Sequence, residues 1–283
     1  MIFPKIYYEN SEGEKIDFSG FPIAIDGVEN LIKKEWDLEL AENRMKNRSR
    51  ITSISRTQYQ TELTLQVFAD SEEEFAKIVD RFDDVTDYDA VNESLGKLWV
   101  GDYYMECILH KADTEEFEEQ FYSTDIKIEL TATNPFWLKE VQIQIYKQQI
   151  ISEGEYLDYP YGYPYDYMVK FAEEKLYNEG HIGAEFEIIM YGKAVNPQVM
   201  IGENLYKVNC IVEEGEYLTI NSNTRKIFVT KVNGETENVY MYREPRSNFF
   251  KAIKRGYNKI IWPGDFGMDI KLLHKRSIPK LWN

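Results

Sequence analysis

Three histidines, two cysteines and 49 carboxylates are the groups of this 283-residue chain that could bind metals or do acid–base or nucleophilic chemistry. A zinc site needs several nitrogen or sulfur donors to converge. His110, His181, His274, Cys107 and Cys210 are too scattered to predict one. Phosphate-cradling glycine loops are absent, as are a GxSxG elbow and an HExxH pair. Paired carboxylates recur throughout so acidic a chain, so a Glu-rich cluster says little about glycosidase chemistry. These residues predict no catalytic group, no cofactor-binding group, no metal ligand and no enzyme.

The cysteines read as packing. In YYMECIL, Cys107 shares a strand face with Tyr103, Met105 and Leu109; in KVNCIV, Cys210 shares one with Val208 and Val212. Both predict small buried hydrophobes rather than nucleophiles or a disulfide. The aromatic content offers a different chemistry, since 21 tyrosines and 5 tryptophans could stack on sugar rings. A carbohydrate-binding β-sandwich is therefore the alternative functional reading. Core packing is the default for these rings, because many stand at alternating strand positions or beside proline.

Charge narrows the partners. With 33 basic against 49 acidic side chains the formal charge is −16, which opposes wrapping around nucleic acid and adsorption to an anionic bilayer. The opening MIFPKIYYENSEGEK shows no secretory signal pattern, and no apolar run approaches the roughly 20 residues needed to span a membrane. The expectation is a soluble protein made in the cytoplasm.

The elements that carry these residues are mostly strands. Leu63, Leu65 and Val67 alternate with polar neighbours in ELTLQV, as do Ile126, Ile128, Leu130 and Ala132 in DIKIELTAT. Ala184, Phe186, Ile188 and Met190 repeat the pattern, then Phe266, Met268, Ile270 and Leu272. Period two marks sheets with one packed and one wet face. One helix is predicted over about 71–83, with Ser71 as N-cap, Glu74 completing a capping box and Phe75, Ile78, Val79 and Phe82 as its apolar stripe. Asn233-Gly234 predicts a tight hairpin turn with positive φ at both residues, between KIFVTKV and VYMY; Asn221-Ser222-Asn223 predicts another turn. The acidic tract from Asp113 to Gln120 predicts a solvated hairpin tip.

A break is expected after NPFW, because Pro135 cannot donate to a ladder and restricts Asn134. LDYPYGYPYDY (157–167) follows. Its prolines and Gly162 exclude helix and regular sheet, while its tyrosines argue for an ordered extended entry to a second domain. The fold class is thus mainly β, with an α+β N-terminal domain over 1–138 and a C-terminal β-sandwich over 139–283.

Several of these stretches, in this order, resemble the siphophage distal tail protein (Dit) family. GKLWVGDYYMECIL and the later NPFW (Asn134, Pro135, Phe136, Trp137) resemble the end of its N-terminal domain. Tyr159, Pro160, Tyr163 and Pro164 resemble its tyrosine–proline segment. Asn178-x-Gly180, Asn196-Pro197, the Asn233-Gly234 turn and RGYNKIIW (Gly256, Asn258) resemble the successive elements of its galectin-like sandwich. The likeness runs from about residue 50 to the C-terminus. AIKRGYN lacks the proline expected near Gly256.

The resemblance implies a belt-type N-terminal domain closing a homohexameric ring and a galectin-like domain projecting outward, without catalysis. It implies as partners other copies of the chain, the tail tube protein, the tail-tip hub protein and, in some phages, receptor-binding or baseplate proteins. It implies no nucleic acid, no membrane insertion and no cofactor. The location would be the tail tip or baseplate of a siphovirus virion or prophage-derived particle. It further implies that LLHKRSIPKLWN returns to the N-terminal domain. Arg44, Lys46, Arg48, Arg50 and Arg56 make a basic exception in the acidic chain. Arg48 and Arg50 are the candidate inter-subunit residues, reaching acidic surface on a neighbouring copy.

Overall fold

Alternating sequence becomes antiparallel sheet throughout the computed structural model, which describes residues 4–43, 48–114, 122–148 and 171–281. The chain divides into two units: residues 1–139 with 276–283, and residues 140–275. The tyrosine–proline segment and most of the acidic tract lie outside the described residues.

In the first unit, strand Tyr59–Phe68 buries Tyr59, Leu63, Leu65 and Val67, and pairs with Ile23–Asp26 on one side and Ser123–Ala132 on the other. Strand Tyr103–Thr114 is long enough to serve two partners. Its first residues pair with Gly96–Val100 and its later ones with Ser123–Ala132. Tyr8, Phe18, Leu31, Leu63, Met105 and Ile128 fill the core between these strands, closed by Trp137 and, from the C-terminal segment, Leu281.

The single α-helix among the described residues runs Glu72–Val91. Ser71 caps it as predicted, its hydroxyl accepting from the Glu74 amide at 3.2 Å. The Glu74 carboxylate reaches back to the Asp70 amide rather than to that of Ser71. The predicted end near residue 83 is wrong by two turns. Val85, Thr86 and Asp89 continue the buried face begun by Phe82, and the polar character of two of them disguises the stripe. Thr86 satisfies its hydroxyl on the Phe82 carbonyl at 2.9 Å. Asp89, fully buried, accepts the Tyr8 hydroxyl at 2.5 Å, the Ser11 amide at 2.9 Å and the Ser94 hydroxyl at 3.0 Å.

The second unit is a sandwich. One sheet orders Ala172–Asn178, Gly256–Trp262, Gln198–Ile201 and Asn204–Lys207. The facing strands Glu185–Tyr191, Tyr217–Asn221, Lys226–Thr230 and Met268–Arg276 pair around Glu185–Tyr191 and Tyr217–Asn221. Leu176, Val199, Tyr206, Ile260 and Trp262 meet Phe186, Ile188, Met190, Leu218, Ile220 and Ile270 in its core. The hairpin expected at Asn233-Gly234 forms, pairing Lys226–Thr230 with Thr236–Asn238, but its details differ. Only Gly234 takes positive φ (85°), the loop spans 231–235, and VYMY is not a strand: Tyr240–Tyr242 is a short 3₁₀ turn. Asn233 is spared αL because its side chain caps the loop, accepting from the Glu235 amide at 3.0 Å.

Both cysteines are free thiols. Burial pushes the Cys107 thiol up to about 12. Cys210, only half-buried and outside any strand, is pushed up to about 11 by burial and then by Glu237. Neither makes a ready thiolate. Dithiothreitol should leave the melting temperature unchanged, and a maleimide should label Cys210 while Cys107 reacts only on unfolding. Equal labelling rates, read by mass spectrometry of tryptic peptides, would contradict this packing.

Candidate functional site

The buried carboxylates among the described residues do structural work. Asp89 is consumed by three hydrogen-bond donors, and Asp269 accepts from Gln142 Nε2 at 3.0 Å and from the Tyr191 hydroxyl at 2.8 Å. Burial and this bond push Tyr191 up to about 12. Among the described residues no group of three or more His, Cys, Asp or Glu could hold a metal ion. No helix of the described residues is long and apolar enough to cross a membrane.

What stands out is a surface. Strands Asp37–Asn43 and Arg48–Ser55 form a two-stranded sheet of their own, pairing Leu38 with Ile54 and Leu40 with Ile51. Ile51 and Ile54 are three residues apart, a spacing that puts side chains on opposite faces of a regular strand. A register shift at Glu39/Leu40 leaves Thr52 as the extra residue, its hydroxyl bonded to the Glu39 carbonyl at 3.0 Å. That bulge returns Ile51 to the face of Ile54, opposite Leu38 and Leu40. All four apolar side chains therefore share one face. They are 56% (Leu38), 56% (Leu40), 53% (Ile51) and 57% (Ile54) exposed. The other face carries Asp37, Glu39 and Arg50.

Such a hairpin is marginal alone in water, and its base is fixed within the first unit. Trp36 packs against Phe136 with ring centroids 6.1 Å apart, so one residue of NPFW holds the entering strand. Arg56 holds the leaving strand: its guanidinium lies over the Tyr59 ring, and Nη1 donates to the Ser277 carbonyl at 3.1 Å. Full burial of the four apolar side chains would release about 1 kcal/mol each beyond what their present partial burial gives.

The other sequence-selected residues lie in packing and turns. Pro135 and Trp137 are buried, and Asn134 is half-exposed at the strand end. Asn196 adopts left-handed φ (50°) beside buried Pro197, and Gly256 has φ 88°. Asn258 is buried, donating to the carbonyls of Lys254 and Gly256. Asn178, fully buried, donates to the Ile253 carbonyl at 2.9 Å and accepts from the Gly180 amide at 2.9 Å. Tyr159, Pro160, Tyr163 and Pro164 lie outside the described residues, as do the side chains of Arg44, Lys46 and Arg48. Arg50 is exposed on the hairpin. The apolar hairpin face itself has a partial sequence signal, the alternation of Trp36, Leu38 and Leu40 in WDLELAEN. The bulge conceals its other half.

No family model and no curated protein sequence matches the chain. Solved structures do. The Dit (gp 19.1) protein of SPP1, described as a paradigm of the hub adsorption apparatus in Gram-positive infecting phages, superposes with a TM-score of 0.61 at 11% identity, over 98% of this chain and 100% of that one. A chain of the phage P2 baseplate in its activated conformation with Ca gives a TM-score of 0.61 at 14% identity, over 99% and 100%. The corresponding baseplate with Sr gives 0.59 at 13%, over 97% and 99%. At such identities the likeness speaks for architecture: along essentially its whole length, this chain has the fold of the phage Dit hub protein.

Proposed function

We infer that the chain is a structural subunit of a phage tail, a distal tail protein whose copies close into a ring at the baseplate. The single observation that carries this is the hairpin with four half-exposed aliphatic side chains on one face, in a chain with the fold of a hub protein. An isolated monomer gains nothing from presenting that face to water. A heterologous contact repeated around an axis covers it in every copy and closes the assembly. The ring is a homohexamer joining the tail tube protein to the tail-tip hub and to receptor-binding or baseplate proteins, with the second unit a galectin-like sandwich projecting outward. It works as a joint rather than an enzyme.

Charge supports a neighbour-to-neighbour register. The helix carries Asp80, Asp83, Asp84 and Asp87 close together, and burial with repulsion from Asp87, Asp80 and Asp84 raises the Asp83 pKa. Arg50 on the hairpin supplies the opposite sign, and Arg48 begins the same strand. Opposite charges at a contact fix orientation and reject wrong partners. Light scattering on the purified chain should give the mass of a closed multimer, and negative-stain images should show sixfold rings. R48E/R50E should shift the mass toward monomer. A wild-type chain that stays monomeric at high concentration overturns the ring; an R48E/R50E ring of unchanged mass overturns the charge register alone.

A further inference from the structure

We propose that Asn233-Gly234 is a modification site, where Asn233 converts to aspartate and isoaspartate through a succinimide. Glu235 holds that reaction off in the folded loop, and conversion releases the strand Thr236–Asn238. This goes beyond the ring and rests on the second unit alone. Asn233-Gly234 is the only Asn-Gly pair in the sequence. A glycine after asparagine hinders the reaction least, because no Cβ shields its nitrogen. The loop adds no crowding: a Cβ built on Gly234 would meet nothing within 4 Å, and residues 232–238 are all exposed.

The chemistry needs only hydroxide and water from the solvent. Hydroxide removes the proton of the Gly234 amide, and that nitrogen attacks Cγ of Asn233. The Cγ–Nδ2 bond breaks, Nδ2 leaves as ammonia, and a five-membered imide remains. Water opens the imide at either carbonyl. One opening gives aspartate; the other gives isoaspartate, whose backbone runs through the former side chain. No group is oxidised or reduced, and the loss of ammonia makes the change run one way.

Every group in that step is restrained in the loop. The Gly234 N–H that must be lost donates to the Lys231 carbonyl at 2.9 Å. Asn233 Oδ1 accepts from the Glu235 amide at 3.0 Å, and Nδ2 donates to the Glu235 carboxylate at 2.9 Å. Both ends of the carboxamide are thus held on residue 235, and hydrogen bonds must open before Cγ meets the Gly234 nitrogen. The Lys231 amide closes the loop on the Glu235 carbonyl at 2.9 Å. Conversion undoes this arrangement. A carboxylate at position 233 has no N–H for Glu235 and repels it, and isoaspartate lengthens the backbone between Lys231 and Glu235 by one atom. The strand beyond, Thr236–Asn238, is the last of its sheet, paired to Lys226–Thr230 alone. Its release uncovers the backbone groups of that neighbour, an open edge able to pair with another chain.

The test ages the full-length protein in mildly alkaline buffer beside the free peptide Val232–Arg243, with tryptic digestion and mass spectrometry reading the fraction converted. Folded wild type should convert roughly tenfold more slowly than the peptide, the factor that goes with opening a hydrogen bond to a charged group. Glu235→Ala, measured against its own free peptide, should lose most of that protection. Glu235→Gln, which keeps an acceptor for Nδ2, should retain it. Glu235 is exposed, so the melting temperature of both variants should hold. Equal rates in protein and peptide, or full protection in Glu235→Ala, overturn the restraint. Asn233→Asp stands for one product, and hydrogen exchange at the amides of 236–238 should run several-fold faster in it than in wild type. Unchanged exchange there overturns the release of the strand.

Discussion

Leu38→Asp with Ile54→Asp should yield a folded protein that no longer assembles. The two residues are cross-strand partners on the exposed face of the hairpin, each more than half accessible already, so the substitution removes little from the core of the first unit. The melting temperature of the dissociated subunit should accordingly stay near that of wild-type monomer. What changes is the face. Two carboxylates where two aliphatic side chains were to be covered cost about 2 kcal/mol or more at each contact, the scale of an interface hot spot. In a closed ring the same loss recurs at every interface, so the multimer should vanish at micromolar concentration rather than merely weaken. Leu38→Met with Ile54→Val, which keeps the face apolar, should retain the ring. Sedimentation velocity on the two double variants settles the matter: equal masses would show that the hairpin is not the contact.

Asp89→Ala should be the most damaging single change in the first unit, at about 3 kcal/mol, because it orphans the buried Tyr8 hydroxyl and the Ser11 amide together. Gly96 shows how tight this locus is: a Cβ there would overlap the Tyr8 hydroxyl and the Asp89 carboxylate. The same network ties stability to pH. Burial alone would raise the Asp89 pKa, but hydrogen bonds from Tyr8, Ser11 and Ser94 outweigh it and hold the carboxyl below its ordinary value. A carboxyl depressed in the folded state stabilises at pH above its unfolded value of about 3.9, and that contribution fades as pH falls through the lower folded value. Wild-type stability should therefore drop below about pH 4, with a shallower acid slope in Asp89→Asn. Urea titrations at pH 7 and pH 3.5 test it; identical acid slopes for the two proteins would remove Asp89 from the account.

Much of the architecture was legible because it rests on one-residue rules. Leu63, Leu65, Val67, Ile126, Ile128 and Leu130 announce their strands by alternation alone, and all six are buried. Ser71 announces the helix start through its own hydroxyl. The helix end was not legible, since Thr86 and Asp89 are polar residues on the buried face, and what makes them tolerable there is partners distant in sequence. Asn233-Gly234 marked a turn correctly but not its length, because Asn233 spends its amide on Glu235 instead of entering the left-handed region. The apolar hairpin shows the same limit most sharply. Leu38 and Leu40 alternate in plain view, whereas Ile51 and Ile54 are out of phase until Thr52 is set aside as a bulge, and no local pattern marks Thr52 for that role.

The order in which the units take up the chain has a consequence of its own. Residues 276–283 belong to the unit formed by 1–139, so in the order of the chain the sandwich of 140–275 is a cassette inserted within the sequence of the first unit. The pairings of Tyr59–Phe68 with Ile23–Asp26 and Ser123–Ala132, and of Gly96–Val100 with Tyr103–Thr114, lie wholly within residues 1–139 and do not depend on what the cassette is. Shortening the C-terminus does the reverse of what a tail deletion suggests: it strips Leu281 from the N-terminal core and the Ser277 carbonyl from Arg56, and so loosens the footing of a hairpin more than two hundred residues upstream.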